Sequence, residues 1–237
     1  MRIIKNLSII LSIGLLILHT SCSSNPASPD PTDGSIKISV RGVADGSSTS
    51  LKKMATAIMI TSARVVIEEI EFESSTEDRL DFELEEPFVQ DLVAGSNLHE
   101  VTTVQVPFGT YRELEIKIDE LDEEKSIAYA QNPELQNLSI RVEGFLNDDT
   151  NNTFVFTSDL SEEQEKEFYP PLVIDETNPS VNVVLAIDMG MWFVDSNNGL
   201  LDPTLEENKS RIESNIKASI NVFEDEDDDG ERDDDDS

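Results

Sequence analysis

The chain has 237 residues, which suits one domain with appendages. Its formal charge is −33, from 17 basic and 50 acidic residues, and a field of that sign excludes attraction to nucleic-acid phosphates while favouring cations and basic partners. The lone cysteine, Cys22, excludes an intramolecular disulfide, so a core built from the 38% hydrophobic residues must hold the fold.

Residues 1–21 read as a lipoprotein signal peptide. Arg2 and Lys5 form a positive start, and the apolar run Leu7 to Leu18 is too short for a bilayer-spanning helix, which takes about 20 residues. Small polar Thr20 and Ser21 then precede Cys22. This resembles the bacterial lipoprotein processing box, in which the cysteine becomes the first mature residue and carries the acyl chains. The usual box has leucine three residues before the cysteine; here His19 stands there, with Leu18 one step earlier. An ordinary signal peptide or an uncleaved anchor is the competing reading. The expectation is therefore a lipid-anchored envelope protein, with Ser23 after the cysteine pointing to an outer membrane and leaving its face undetermined. Residues 22–34, rich in Ser, Pro, Asp and Gly, read as a flexible tether with a reach of about 40 Å.

From Ser35 the apolar residues alternate, the pattern of half-buried strands. Ile36, Ile38 and Val40 make the first. Ile58 and Ile60, then Ala63, Val65 and Ile67, then Ile70 and Phe72 alternate with two changes of parity, which predicts bulges in one long strand or a break into two. Leu80, Phe82 and Leu84 make another, with a short element at Val89 and Leu92. Val104 and Val106 lead into Pro107-Phe108-Gly109-Thr110-Tyr111, a hairpin or corner feeding Leu114, Ile116 and Ile118. Pro107 ends a ladder, Gly109 permits a positive φ, and Tyr111 lays its ring on the core edge with its hydroxyl partnered. Leu138, Ile140 and Val142 follow; Asn147 to Asn152 read as a turn before Phe154 and Phe156, and Val181 to Ile187 form a last long strand.

About eight strands with polar turns predict a mainly β, antiparallel β-sandwich over residues 35–193. Met189, Met191, Trp192 and Phe193 read as a core plug in preference to an aromatic ligand contact. Residues 194–220 read as a loop and helix packed on the sandwich, the helix spanning 205–218 with Thr204 as its cap and Glu207 three residues on. Leu205, Ile212, Ile216 and Ile220 would line its buried face.

Residues 221–237 read as a disordered acidic tail. Its last fourteen residues, EDEDDDGERDDDDS, hold eleven acids and one arginine. Asp225, Asp227, Asp229, Gly230, Asp233 and Asp236 nevertheless fall at D-x-D-x-D-G-x-x-D-x-x-D, and the segment resembles the calcium loops of dockerin and thrombospondin type 3 repeats. Alternating carboxylates converge on a hard cation while the glycine makes the sharp turn. The competing reading is a solvated acid run that matches the spacing through composition alone.

The segment Val106 to Tyr111 with its following strand resembles a strand–turn–strand of bacterial transthyretin-like (prealbumin-like) sandwiches. With the leader and ITSARVVIEEIEFE at 60–73, residues 35–145 are similar to an uncharacterised family of bacterial envelope lipoproteins carrying such a domain. That resemblance implies a fold and a location, and carries no catalytic or ligand-binding residues.

Catalytic residues are not expected. His99, before Glu100 in a loop, is the single histidine outside the leader, so Ser-His and Cys-His nucleophile systems and His-rich zinc sites lack their parts. The leading expectation is a non-catalytic binding or adhesion module for a protein or glycan. A structural component of a surface assembly and a carboxylate-dependent glycan hydrolase are the alternatives.

Overall fold

The computed structural model describes residues 33–43, 50–53, 56–75, 81–93, 98–122, 126–147, 149–197 and 199–232; Cys22, Asp233 and Asp236 lie outside them. In these residues two sheets face each other across one aliphatic and aromatic core, a β-sandwich. Sheet A is formed by β1 (Asp33–Val43), β6 (His99–Pro107), β11 (Ser180–Asp188) and β12 (Ile220–Glu224), in the order β12-β11-β1-β6. Sheet B follows the path β10-β7-β3-β8-β9, built from β3 (Thr56–Ser74), β7 (Gly109–Ile118), β8 (Ile140–Leu146), β9 (Thr153–Ser158) and β10 (Glu162–Ile174). The short strands β2 (Ser50–Lys53), β4 (Phe82–Leu84) and β5 (Phe88–Asp91) pair with β3. Every pairing between these strands is antiparallel except β1 with β11, which run parallel from Ser35↔Ser180 to Val43↔Asp188.

β3 is the spine of sheet B. Its two parity changes are bulges inside one continuous strand, with register shifts between Ile60 and Ser62 against β8 and between Ile67 and Glu69 against β7. Each extra residue flips the side chains that follow, so all the aliphatic runs of β3 still face inward. Gly144 of β8 sits beside the first bulge because a Cβ there would lie 2.0 Å from the Met59 carbonyl oxygen. Pro107 to Gly109 is a corner, not a hairpin: β6 ends in sheet A and β7 begins in sheet B. Tyr111 is buried, its hydroxyl donates to the Pro107 carbonyl at 2.9 Å, and burial, aided by the charges of Asp81 and Asp33, pushes that hydroxyl up to about 12. Gly109 does not use the expected positive φ; Gly230 is the described glycine that does.

Further departures refine the sequence reading. His99 and Glu100 are strand residues of β6, paired with Val40 and Ser39, because β1 continues far enough to hold them. The predicted helix begins as a 3-10 turn, Glu206–Asn208, and becomes α2 (Lys209–Ala218), preceded along the chain by α1 (Ser126–Gln131). Thr204 does not cap it: the Asp202 carboxylate accepts from both the Thr204 amide and hydroxyl, at 2.9 and 2.6 Å, and Leu205 stays extended and exposed. Ile212 and Ile216 do face the core, whereas Ile220 belongs to β12. The fold thus continues past residue 220 into the acidic segment. Asn147, at φ 62, opens the predicted turn, which closes through a Leu146 amide bond to the Asn152 carbonyl at 2.9 Å.

The outer face of sheet B carries an unusual charge row. Glu83, Glu71, Glu115 and Glu165 stand directly opposite one another across β4, β3, β7 and β10, with Glu73, Glu113 and Glu167 in the next row. Like charges opposed on neighbouring strands repel. Burial first, then the neighbouring glutamates, raises the carboxyls of Glu71, Glu113 and Glu115; a side-chain hydrogen bond with Glu69 is the largest cause for Glu83. A raised carboxyl means the folded chain holds protons that the unfolded chain has already lost just above the ordinary value of 4.5, so stability falls as pH rises through that window. Other acids are lowered, Glu134 by Arg64, Asp149 by Asn151 and Asp175 by Thr177, and what they contribute is lost as pH falls below the ordinary carboxylate range. The melting temperature is therefore expected to rise as pH is lowered from neutrality toward the ordinary carboxylate range and to drop again in stronger acid. Added sodium chloride should reproduce part of the rise at neutral pH. A calorimetric series with no rise in melting temperature as pH is lowered from neutrality toward that range would count against repulsion among these glutamates.

Candidate metal centre

β11 reads Val-Asn-Val-Val-Leu-Ala-Ile over residues 181–187, and all seven are buried. Val181, Val183, Leu185 and Ile187 face the sandwich core. Val184 and Ala186 point out of the other face of sheet A, where they cluster with Phe223, Val43 and Leu98. What covers that face is the start of the acidic segment.

β12 runs antiparallel to β11, and the Asp225 amide extends the ladder with a 2.9 Å bond to the Asn182 carbonyl. The chain then turns back, with Asp228 at φ 61 and Gly230 at φ 78, the left-handed region that glycine enters without steric cost. Sheet A grips the turn through its two outward basic residues. Lys37 pairs with the Asp228 carboxylate, and the Arg41 guanidinium donates to the Gly230 carbonyl and lies 3.5 Å from Glu231. Arg232 closes the far end, its guanidinium 5.7 Å above the Phe223 ring.

At the centre lies Asp225, 1% exposed. Its Oδ2 accepts from the Asn182 amide group and the Gly230 backbone N–H, both at 3.0 Å, and Asn182 is held in turn by the Ser39 hydroxyl at 3.2 Å. Its Oδ1 is buried and has no hydrogen-bond partner among the described residues. A buried, unpartnered carboxylate oxygen is costly. Burial drives the Asp225 carboxyl upward; the backbone N–H groups of Gly230 and Asp229 oppose the rise, and the charges of Asp228 and Asp229 add to it. Carboxylate oxygens of Asp225, Asp227 and Asp229 lie within 4.8 Å of one another. Ligands on opposite sides of a cation with metal–oxygen bonds of about 2.4 Å stand about that far apart. The turn is braced from within by Asx bonds: the Asp229 amide donates to Asp227 at 3.2 Å and the Glu231 amide to Asp229 at 2.6 Å. The fold thus assembles a group of three aspartates that could hold a metal ion.

Of the five aspartates singled out from the spacing, Asp225, Asp227 and Asp229 are brought together, and Asp233 and Asp236 lie outside the described residues. The supporting residues Lys37, Ser39, Arg41 and Asn182 carried no local signal, since they sit on strands far away in sequence. Beside the loop opens a polar cleft of ≈ 470 Å³, lined by Lys37, Asn178, Ser180, Asn182, Asp225 and Asp228 among others. Of the apolar knot, Met189, Trp192 and Phe193 plug the core as expected, whereas Met191 is exposed. Trp192 and Phe193 are fully buried, and Phe193 meets Phe154 and Phe156 edge-on at 5.8 and 6.1 Å.

No family profile matches the chain, and no curated protein does. Among solved structures it is similar to MbnP from Methylosinus trichosporium, at 10% identity and a TM-score of 0.39, over 71% of this chain and 82% of that one. A likeness this slight carries no argument about function.

Proposed function

We propose that the protein is a non-catalytic cell-envelope lipoprotein, anchored through acylated Cys22, whose transthyretin-like sandwich is a binding or adhesion module bearing one calcium site in its C-terminal loop. Calcium is the cation whose chemistry fits: a hard ion taking several oxygen ligands, in a loop with aspartates at the first, third and fifth positions and glycine at the sixth. Asp225 would supply its unpartnered Oδ1, with Asp227 and Asp229 beside it. The Glu231 carbonyl and the carboxylates of Asp233 and Asp236 stand at the remaining ligand positions of that spacing. The observation that carries the calcium reading is the buried Asp225 oxygen without a partner among the described residues, on a side chain whose carboxylate stands within 4.8 Å of two further aspartates. Calcium there would fasten β12 to the sandwich, as an extracellular module does when disulfides are absent.

Calorimetric titration of the protein with calcium chloride is the test of this site. One binding event is expected, and it should be lost in Asp225→Asn and weakened in Asp227→Asn. Heats that stay unchanged in Asp225→Asn would place any binding elsewhere. For the anchor, Cys22→Ser should abolish lipid labelling and release the protein from the membrane fraction; unchanged fractionation would overturn that placement.

A structural role in a surface assembly is the second reading, and the open strand edge of sheet B favours it.

A further inference from the structure

Sheet B ends at β9, which among the described residues pairs with β8 alone. The Leu146 amide bonds the Asn152 carbonyl and the Ser139 amide bonds the Ser158 carbonyl, both at 2.9 Å. Even-numbered residues of β9 therefore turn their backbone groups toward β8. By the alternation of an antiparallel ladder, the N–H and C=O groups of Thr153, Val155 and Thr157 face the open edge. Beside that edge runs a groove of ≈ 410 Å³, lined by β9 itself and by the Pro203 to Glu206 segment with Lys209. Val155 and Leu205 expose apolar surface there, at 52% and 46%.

Three features distinguish this edge. First, β9 itself carries no charge, in a chain where 50 of 237 residues are acidic, whereas the opposite edge strand, β10, bears Glu163, Glu165 and Glu167. Charges on an edge strand block pairing with other chains, and β9 lacks that protection. Second, the outward side chains Thr153, Val155 and Thr157 are all β-branched, the types that pair best across strands. Third, Thr-Phe-Val-Phe-Thr reads the same in both directions. An antiparallel copy centred on Val155 would set valine against valine and each threonine against threonine, while Phe154 and Phe156 stay in their own cores. That is the self-complementarity a twofold interface requires.

We propose that β9 pairs edge to edge with β9 of a second copy of this chain, continuing sheet B across a twofold axis at Val155. The occupant is the same chain because its own strand matches the edge in length, polarity and side-chain order. Two copies of charge −33 repel at long range, so the association strengthens with salt, the opposite of an interface held by ion pairs. It does not depend on the calcium site, which lies on sheet A.

A photo-crosslinking phenylalanine analogue placed at Val155 of the full chain, irradiated in cells, tests the pairing. The expected product has twice the mass of the chain and contains this chain alone. The same analogue at exposed Met191 should give none. With the analogue at Thr153, the further change Val155→Lys should cut the doubled product on the order of tenfold by opposing like charges at the axis. Val155 is surface-exposed, so that variant should keep the wild-type circular dichroism spectrum. Absence of the doubled species at Val155, equal yield from Met191, or a product containing a different protein would each overturn the proposal.

Discussion

Trp192→Ala should lower the stability of the domain by about 3–5 kcal/mol, the largest effect expected of any single truncation here. Trp192 is fully buried beside Phe193, on the turn that follows β11. Its indole N–H donates to the Ser219 hydroxyl at 2.9 Å, and that hydroxyl donates to the Ile216 carbonyl at 2.6 Å, at the end of α2. From the other side, the Asn215 amide group donates to the Trp192 and Val194 carbonyls, at 3.0 and 2.7 Å. One side chain therefore fills the core and fixes where α2 gives way to β12. Alanine would leave a cavity and take the ring donor from a buried hydroxyl. Trp192→Phe keeps most of the volume and should cost about half as much, chiefly through the missing N–H. Denaturant midpoints of the three proteins decide the matter. A loss within about 1 kcal/mol for alanine would mean the cavity collapses and the turn is held by other contacts.

This tryptophan also shows what local pattern conveys. As the lone tryptophan it was expected to be buried, and the parity changes of residues 58–72 announced either bulges or a break, because side-chain direction in a strand depends only on residue count; pairing with β7 and β8 decides for bulges. The continuous apolar run of β11 carried a further signal, burial on both faces, that alternation alone does not suggest. The covering layer itself was not legible. Nothing near Asp225 announces that its partner is Asn182, or that Lys37 and Arg41, the outward residues of β1, would hold a segment nearly two hundred residues away. Composition pointed the wrong way there, since an acid-rich run normally stays solvated; two basic side chains and an amide on sheet A reverse that outcome as far as residue 232. The parallel pairing of β1 with β11 was equally hidden, being set by closure of the sheet and not by any turn. The helix start failed for a local reason: Asp202 captured Thr204 before it could cap.

The same docking makes the calcium response large and gives it a diagnostic sign. Without a cation, Asp225 is a buried carboxylate with one oxygen unsatisfied among the described residues and the carboxylates of Asp227 and Asp229 close by. Such a site weakens the fold until a cation neutralises it. At calcium about a hundredfold above the dissociation constant, linkage adds about 2.7 kcal/mol. For a domain of this size that corresponds to roughly 5–10 °C in Tm. Magnesium should give a smaller shift, because it dehydrates reluctantly and demands a tighter octahedral shell. Asp225→Asn separates charge from coordination. In chelator the variant should melt at or above the wild-type temperature, since it removes a buried charge while its amide oxygen still accepts from Gly230. In excess calcium the order should reverse, with wild type rising and the variant nearly stationary. Two melting curves that cross as calcium is added are the signature of an ion bound at Asp225, whereas screening of the acidic surface would raise both alike. Equal shifts in the two proteins would therefore reassign the response to the net charge and leave the Asp225 oxygen without an explanation.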